Sequence, residues 1–345
     1  MMAARQKANL GWVGAAAAAV AFPFVFGLPY YVSIGITVMT FIALAVAFDL
    51  VVGRIGALSL CQPIFFGFGA YLAALTNVRL GWGFPLEAAV AAVAAVILAL
   101  AIGFPAFRLS LHAFAIGTLG FSTIGLVVAR NWVPVTGGPM CTTGIGPIDI
   151  GPIAVRGLVP QYLVITAIAA LAVTVYRMVT SRKLGSVITA VRDDPVLAQA
   201  RGFSPTAYRL TAFALSAALS AVAGTFTAHY LAVVCPDQLA NTYMVTLLII
   251  VFIGGRGNLA GVVLAAVLFG AMPELLRLAD QWRLVIYGGV LLVVVVAYPD
   301  GLGRLLQATA RRVQRRPGSA SVPGNSTTPG TSQSSNGEQN EEVRR

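Results

Sequence analysis

Long apolar runs separated by short polar punctuation dominate the chain. Ten runs approach membrane-spanning length, near 11–28, 32–52, 58–77, 84–106, 112–131, 159–179, 207–233, 242–254, 259–278 and 283–299. A hydrocarbon layer of roughly 30 Å needs about 20 helical residues to cross it. Runs such as AAVAAVAAVILALAIGF show no apolar/polar alternation, which a spanning barrel would require. Lipid admits only helices or closed barrels, because backbone polar groups must be satisfied within the protein. The pattern therefore predicts an all-α, polytopic helical membrane protein with about ten transmembrane helices. The eighth run is short and suits a broken or re-entrant element. The third and fifth are rich in Gly and small polar residues, which predicts positions inside the bundle.

Composition sharpens this picture. The 345 residues are 58% hydrophobic and 10% charged, against roughly 25% charged in soluble domains. The net charge of +11 could suit nucleic acid, but the cations sit in loops and at the C-terminal end. With Arg5 and Lys7 placed in the cytoplasm, Arg54, Arg108, residues 181–209, Arg256 and the basic run Arg304 to Arg316 all fall inside. Arg79, Asp149, Arg156, Asp237 and Asp280 fall outside, with Arg283 at the start of the last span. That is the positive-inside bias of a membrane protein, with both termini cytoplasmic and lipid as the surrounding partner. The first run follows Arg5 and Lys7 like a secretory signal, but it is long enough to span and precedes many spans, so it reads as an uncleaved first helix.

The residues divide into a transmembrane domain, 1–306, and a basic then disordered tail, 307–345, whose Ser/Gly/Asn/Pro content cannot bury a core. The domain carries an external loop, 131–158, and a cytoplasmic loop, 181–206. The external loop is rich in Gly and Pro and predicts no regular structure. The cytoplasmic stretch Ser181 to Arg209 has helix grammar. Leu184, Val187, Ile188 and Val191 form a stripe at helical spacing. Asp194 before Pro195 is an N-cap signal, and Gly202 stands where a left-handed residue ends a helix. A short helix is predicted near Pro195–Arg201, and Ser204-Pro205 launches the next span. Such a segment fits either a docking element or an amphipathic hairpin lying on the membrane.

Chemistry is sparse. Three Cys and two His form no convincing metal set, and no CxxC, HExxH or Walker A pattern occurs. No catalytic constellation, metal site or cofactor is expected, and any use of ATP must come from another chain. Asp49 near the inner end of the second span is expected to be wet or paired with Arg54. Glu87 in a first helical turn complements the helix dipole. His229 reads as a packed or interfacial residue. Cys141 and Cys235 both fall outside, so a disulfide between them is conceivable.

Four blocks then carry a resemblance over nearly all of residues 32–306. They are LVVGRIGALSLCQPIFFGFGAYLAAL from Leu50, the stretch from Phe104 to Ile145, GSVITAVRDDPVLAQARGFSPTAYRLTAFALSAALSAVAGTFTAHYL from Gly185, and GGRGNLAGVVLAAVLFGAMPELLR from Gly254. In this order and spacing they resemble the LivM-type permeases of branched-chain amino acid ABC importers. The resemblance implies a permease subunit, not an enzyme, working with ABC ATPase subunits, a second homologous permease and an extracytoplasmic solute-binding protein. It implies an amino acid substrate and no nucleic acid. The ATPase contact would lie on Gly185, Arg192, Asp193, Asp194, Pro195, Ala198 and Gly202. Alternating access would open a path between the third and fifth spans, lined by Phe66, Tyr71, Thr118, Ser122 and Asn131. The chain departs from common family residues at Asp49, at Cys61-Gln62-Pro63 and at Met140-Cys141. An ion-coupled secondary transporter is the alternative, with only Asp49 and His229 to serve it; a receptor or scaffold would need a folded soluble domain.

Overall fold

The computed structural model describes residues 17–24, 28–150, 153–181 and 183–275, with Gly14 and Gly289. Within the first expected span, residues 17–24 are helical. Apart from Gly289, the tenth expected span lies outside the described residues, as does the tail.

The described fold is a helical bundle with little sheet. Its helices are α1 (Pro29–Asp49), α2 (Gln62–Leu80), α3 (Phe84–Ala106), α4 (Leu111–Asn131), the short α5 (Val133–Thr136), α6 (Leu158–Ser181), α7 (Lys183–Asp193), α8 (Pro195–Ala200), α9 (Pro205–Leu231), α10 (Asn241–Gly254) and α11 (Leu259–Leu275). A π-helical segment, Leu50–Ile55, extends α1. Among the described residues, six segments are long and apolar enough to cross a membrane: Pro29–Ile55, Phe84–Ala106, His112–Asn131, Leu158–Ser181, Pro205–Leu231 and Pro236–Gly254. α10 with its 14 residues is short, as the eighth run predicted. Proline in the first helical turn opens α1, α2, α3, α8 and α9, where its missing N–H costs nothing.

Helices α1 and α9 form the centre, and most of each is buried. α9 packs along α2 and α3; α6 and α11 pack on α1. The α2–α9 crossing is backbone against backbone. A Cβ on Gly224 would overlap the Phe66 carbonyl, and one on Gly69 would overlap Ala221. Beside this crossing Gln62 Nε2 donates to Ser216 Oγ at 3.0 Å and to Ser220 Oγ, and Ser216 Oγ donates to the Ala47 carbonyl at 2.5 Å. This buried ladder fixes α1, α2 and α9 in one register, because each polar group would otherwise sit unpaired in an apolar medium.

Two expectations change. α2 is interior, but α4 is peripheral among the described residues: Ile116, Leu119, Ile124, Val127 and Val128 are exposed. Nothing lies within 4 Å of a Cβ placed on Gly120. Small residues permit close packing but do not compel it. The external loop is also more ordered than its Gly and Pro content suggested. β1 (Thr142–Thr143) pairs with β4 (Val233–Val234), and β2 (Ile148–Ile150) pairs with β3 (Ile153–Val155), both antiparallel. A disulfide joins Cys141 to Cys235 beside the first ladder, and the Gly146 N–H donates to Asn77 Oδ1 at 2.7 Å. The order comes from these long-range attachments, which local turn chemistry does not reveal.

Candidate coupling face and substrate path

The stretch expected in the cytoplasm folds as two helices. On α7, Ile188 and Val191 are buried and Val187 is half-buried, while Leu184 is exposed, so the stripe packs over most of its length. Gly185 is buried where α7 leaves α6; a Cβ there would overlap the Thr180 backbone. Asp194 caps α8, its Oδ1 accepting from Val196 N at 3.0 Å and Leu197 N at 2.9 Å. At the other end Gly202 adopts φ +85°, and the Phe203 N–H returns to the Ala198 carbonyl at 3.1 Å. Both ends of α8 are thus tied, and the helix is a rigid projection. Ala198 faces inward at 3% exposure, whereas Val196 and Leu197 stand 76% and 51% exposed. Arg192, Asp193, Asp194 and Gly202 are exposed and Pro195 is half-buried. The seven residues expected to meet the ATPase therefore lie on one continuous two-helix element.

Arg192 also reaches inward. Its Nη1 donates to the Gly53 carbonyl at 2.6 Å, within the π-helical end of α1. Four residues earlier Asp49 is fully buried. Its Oδ1 accepts from the Gly257 N–H at 2.8 Å, and its Oδ2 from the Tyr176 hydroxyl at 2.6 Å. Tyr176 in turn accepts from Arg54 Nε at 3.0 Å. Asp49 was expected to be wet or paired with Arg54; it is neither, being fully buried with the Tyr176 hydroxyl standing between it and Arg54.

The five residues expected on the path do not converge. Phe66 borders a cavity of about 310 Å³ lined also by Thr37, Thr40, Phe41, Thr242 and Tyr243. Tyr71 is buried in a separate cluster with Ala129, Ile145 and Leu239, its hydroxyl without a partner among the described residues. Thr118 is buried and bonded to Leu60 N and the Ala115 carbonyl. Ser122 is buried and donates to Asn241 Oδ1 at 3.4 Å. Asn131 is exposed and bonds back to the Val127 carbonyl. The cavity lies between α1, α2, α9, α10 and α11 rather than between α2 and α4. Its walls combine Ile36, Leu44 and Phe66 with threonine hydroxyls, and none of its lining residues is charged.

A capped two-helix projection, a bundle of apolar helices and a mixed apolar/hydroxyl cavity are features that suit a membrane passage. The sequence profile of the family described as "Branched-chain amino acid transport system / permease component" matches residues 30–295. The chain belongs to this permease family.

The permease is 32% identical to the high-affinity branched-chain amino acid transport system permease protein LivM of Salmonella typhimurium over 88% of this chain and 76% of that protein. It is 30% identical to the LivM of Escherichia coli over 91% of this chain and 78% of that protein. No solved structure matches it. The permease is a multi-pass inner-membrane subunit of an ATP-binding-cassette importer, as the resemblance implied.

Sequence reasoning missed the hydroxyl set Thr37, Thr40, Thr227, Thr242 and Thr246 on the cavity. Thr37 and Thr40 three residues apart on α1 and Thr242 and Thr246 four apart on α10 each share a helix face, which is the signal that could have found them. It also missed that Glu87 is fully buried against His229. A dipole argument accounted for Glu87 alone, and its partner lies 142 residues away.

Proposed function

We propose that this permease moves branched-chain or chemically related amino acids inward by alternating access, with partner ATPase subunits acting on α7 and α8. The observation that carries this reading is the capped helix α8, which holds Val196 and Leu197 out to solvent while Arg192 is bonded into α1. An exposed apolar pair on a rigid element is what a partner cleft would grip, and the charged run Arg192-Asp193-Asp194 would set its register. A rigid helix transmits displacement where a loose loop would absorb it. The docking set is Arg192, Asp193, Asp194, Pro195 and Gly202; Gly185 and Ala198, expected among the contacts, are buried and instead seat α7 and α8 against the bundle.

The solute-binding protein would deliver to the outer face, where the Cys141–Cys235 link holds the external loop. A second, homologous permease would pair with this one, and the exposed apolar face of α4 is available to it or to lipid. The substrate would pass the cavity bordered by Phe66. Its apolar walls suit aliphatic side chains, and its hydroxyls can bond a carboxylate or ammonium without a fixed charge to trap it. Ten spans with both termini in the cytoplasm complete the arrangement, and the permease catalyses no reaction itself. An ion-coupled mechanism would need Asp49 or His229 as mobile proton carriers, but Asp49 holds Gly257 and Tyr176, and His229 holds Glu87 and Gly146.

The test is alanine replacement of Arg192, Asp193 and Asp194 together in the assembled transporter. The reading predicts loss of ATPase co-purification, of uptake, or of both. Survival of both would remove α7 and α8 from the interface.

A further inference from the structure

We propose that Asp49 is the positioning residue through which the coupling helices move the walls of the substrate cavity. The inference rests on the coupling role given to α7 and α8 above. Asp49 closes α1 and is fully buried among Ala47, Phe48, Leu50 and Val51, each also fully buried. A carboxyl group in such surroundings is costly to keep unless its bonds are satisfied, and it marks a functional position.

Its bonds reach two different parts of the bundle. The Gly257 N–H belongs to the turn joining α10 to α11, and the Tyr176 hydroxyl to the inner end of α6. Arg54 follows on the same π-helical segment, bonded to the Tyr176 hydroxyl with its guanidinium 5.3 Å from the ring centre. From the cytoplasmic side Arg192 bonds the Gly53 carbonyl, and its stem runs under Gly56, where a Cβ would lie 3.1 Å from Arg192 Cγ. Gly53 is the meeting point: a Cβ there would overlap both Asp49 Oδ1 and the Gly257 nitrogen. Only glycine lets α7, α1 and the α10–α11 turn converge.

The convergence is directional. α1, α10 and α11 supply Thr37, Thr40, Phe41, Thr242, Thr246 and Gly270 to the cavity wall. Their inner ends are held together by Asp49, and Arg192 touches the same assembly one turn away. A shift of α7 displaces the Gly53 carbonyl, and the carboxylate carries that shift to α6 and to α10–α11. The π-helical turn over Leu50–Ile55 provides the local give, since π segments occur mainly as single-turn departures at functional sites. Two hydrogen bonds that can be exchanged, rather than fused packing, suit an element that must occupy two arrangements.

The experiment uses the complete transporter, reconstituted with its ATPase subunits and supplied with loaded binding protein. ATP hydrolysis and leucine uptake are measured together for Asp49→Ala, Asp49→Asn and Tyr176→Phe. Tyr176→Phe removes one hydroxyl and keeps the ring, so it remains informative if Asp49→Ala does not assemble. Asn can still accept from Gly257 and bond Tyr176. The proposal predicts that Tyr176→Phe and Asp49→Ala leave hydrolysis within about twofold but cut leucine moved per ATP at least tenfold for Asp49→Ala and severalfold for Tyr176→Phe, with Asp49→Asn close to the unmodified protein. Parallel losses of hydrolysis, uptake and complex yield would make the junction merely structural and overturn the proposal, as would an unchanged ratio in Tyr176→Phe. If the Arg192, Asp193 and Asp194 triple alanine variant loses ATPase association while the Asp49 and Tyr176 variants keep their ratio, only this proposal fails. If the triple variant keeps both association and uptake, the coupling assignment fails first.

Discussion

His229 Nε2 lies 2.5 Å from Glu87 Oε2, with both side chains fully buried. His229 Nδ1 donates to the Gly146 carbonyl at 2.8 Å, so the pair ties α9 and α3 to the external loop. Asn77 completes the cluster by donating to Glu87 Oε1 at 3.2 Å and to the Trp82 carbonyl at 3.1 Å. Removing one member strands the other in a dry site, which costs about 3–5 kcal/mol, whereas replacing both with apolar groups costs less. Glu87→Leu and His229→Leu should each lower the thermal midpoint of the detergent-solubilised permease sharply. The double variant should recover part of the loss. Additive losses in that cycle would show that the two side chains do not act as a pair.

The disulfide gives a topology test. Cys141 and Cys235 are bonded and Cys61 is buried. In intact cells a membrane-impermeant maleimide should label the permease only after mild reduction, with two added masses at most. Labelling of Cys141 or Cys235 without reduction would contradict the bond, and no labelling after reduction would contradict the external position of the linked pair.

Helix crossings make a graded stability prediction. Gly224→Ala forces a methyl group into the Phe66 carbonyl and should cost about 1–3 kcal/mol or more, the usual range for overpacking. Gly120→Ala meets open space and should be neutral or slightly stabilising through helix propensity. Comparing the two unfolding midpoints in detergent checks the assignment of α9 to the centre and α4 to the edge.

The sequence carried its local grammar well. Asp194, Pro195 and Gly202 announced α8 because caps and left-handed residues act over a few positions, and the cap hydrogen bonds and φ of +85° agree. Apart from the Cys141–Cys235 pairing, which was conceivable from the sequence, what stayed hidden was decided at long range. Asp49 finds Tyr176 across 127 positions, and no local pattern distinguishes that contact from pairing with Arg54 five residues on. α4 and α2 are alike in small residues, yet only α2 meets a glycine on the opposing helix, Gly224. The cavity shares that fate: Phe66 was singled out on its own helix, but the hydroxyls that line the cavity with it come from other helices.

The cap itself is separable from the docking charge. Asp194→Ala removes two backbone hydrogen bonds and should destabilise α8 by about 1 kcal/mol. Asp194→Ser restores a cap without the charge. If Ser restores ATPase co-purification, the helix matters more than the carboxylate; if it does not, Asp194 contacts the partner directly. Hydrogen exchange of the 196–201 amides reads the helix independently.

The coupling proposal requires that this permease work only when driven from outside its own chain, through α7 and α8. Leucine uptake in cells lacking the partner ATPase subunits is the deciding measurement. Without those subunits uptake should not rise above background at any imposed proton or sodium gradient, and it should return when they are supplied again. Persistent gradient-driven uptake through the permease alone would contradict the proposal.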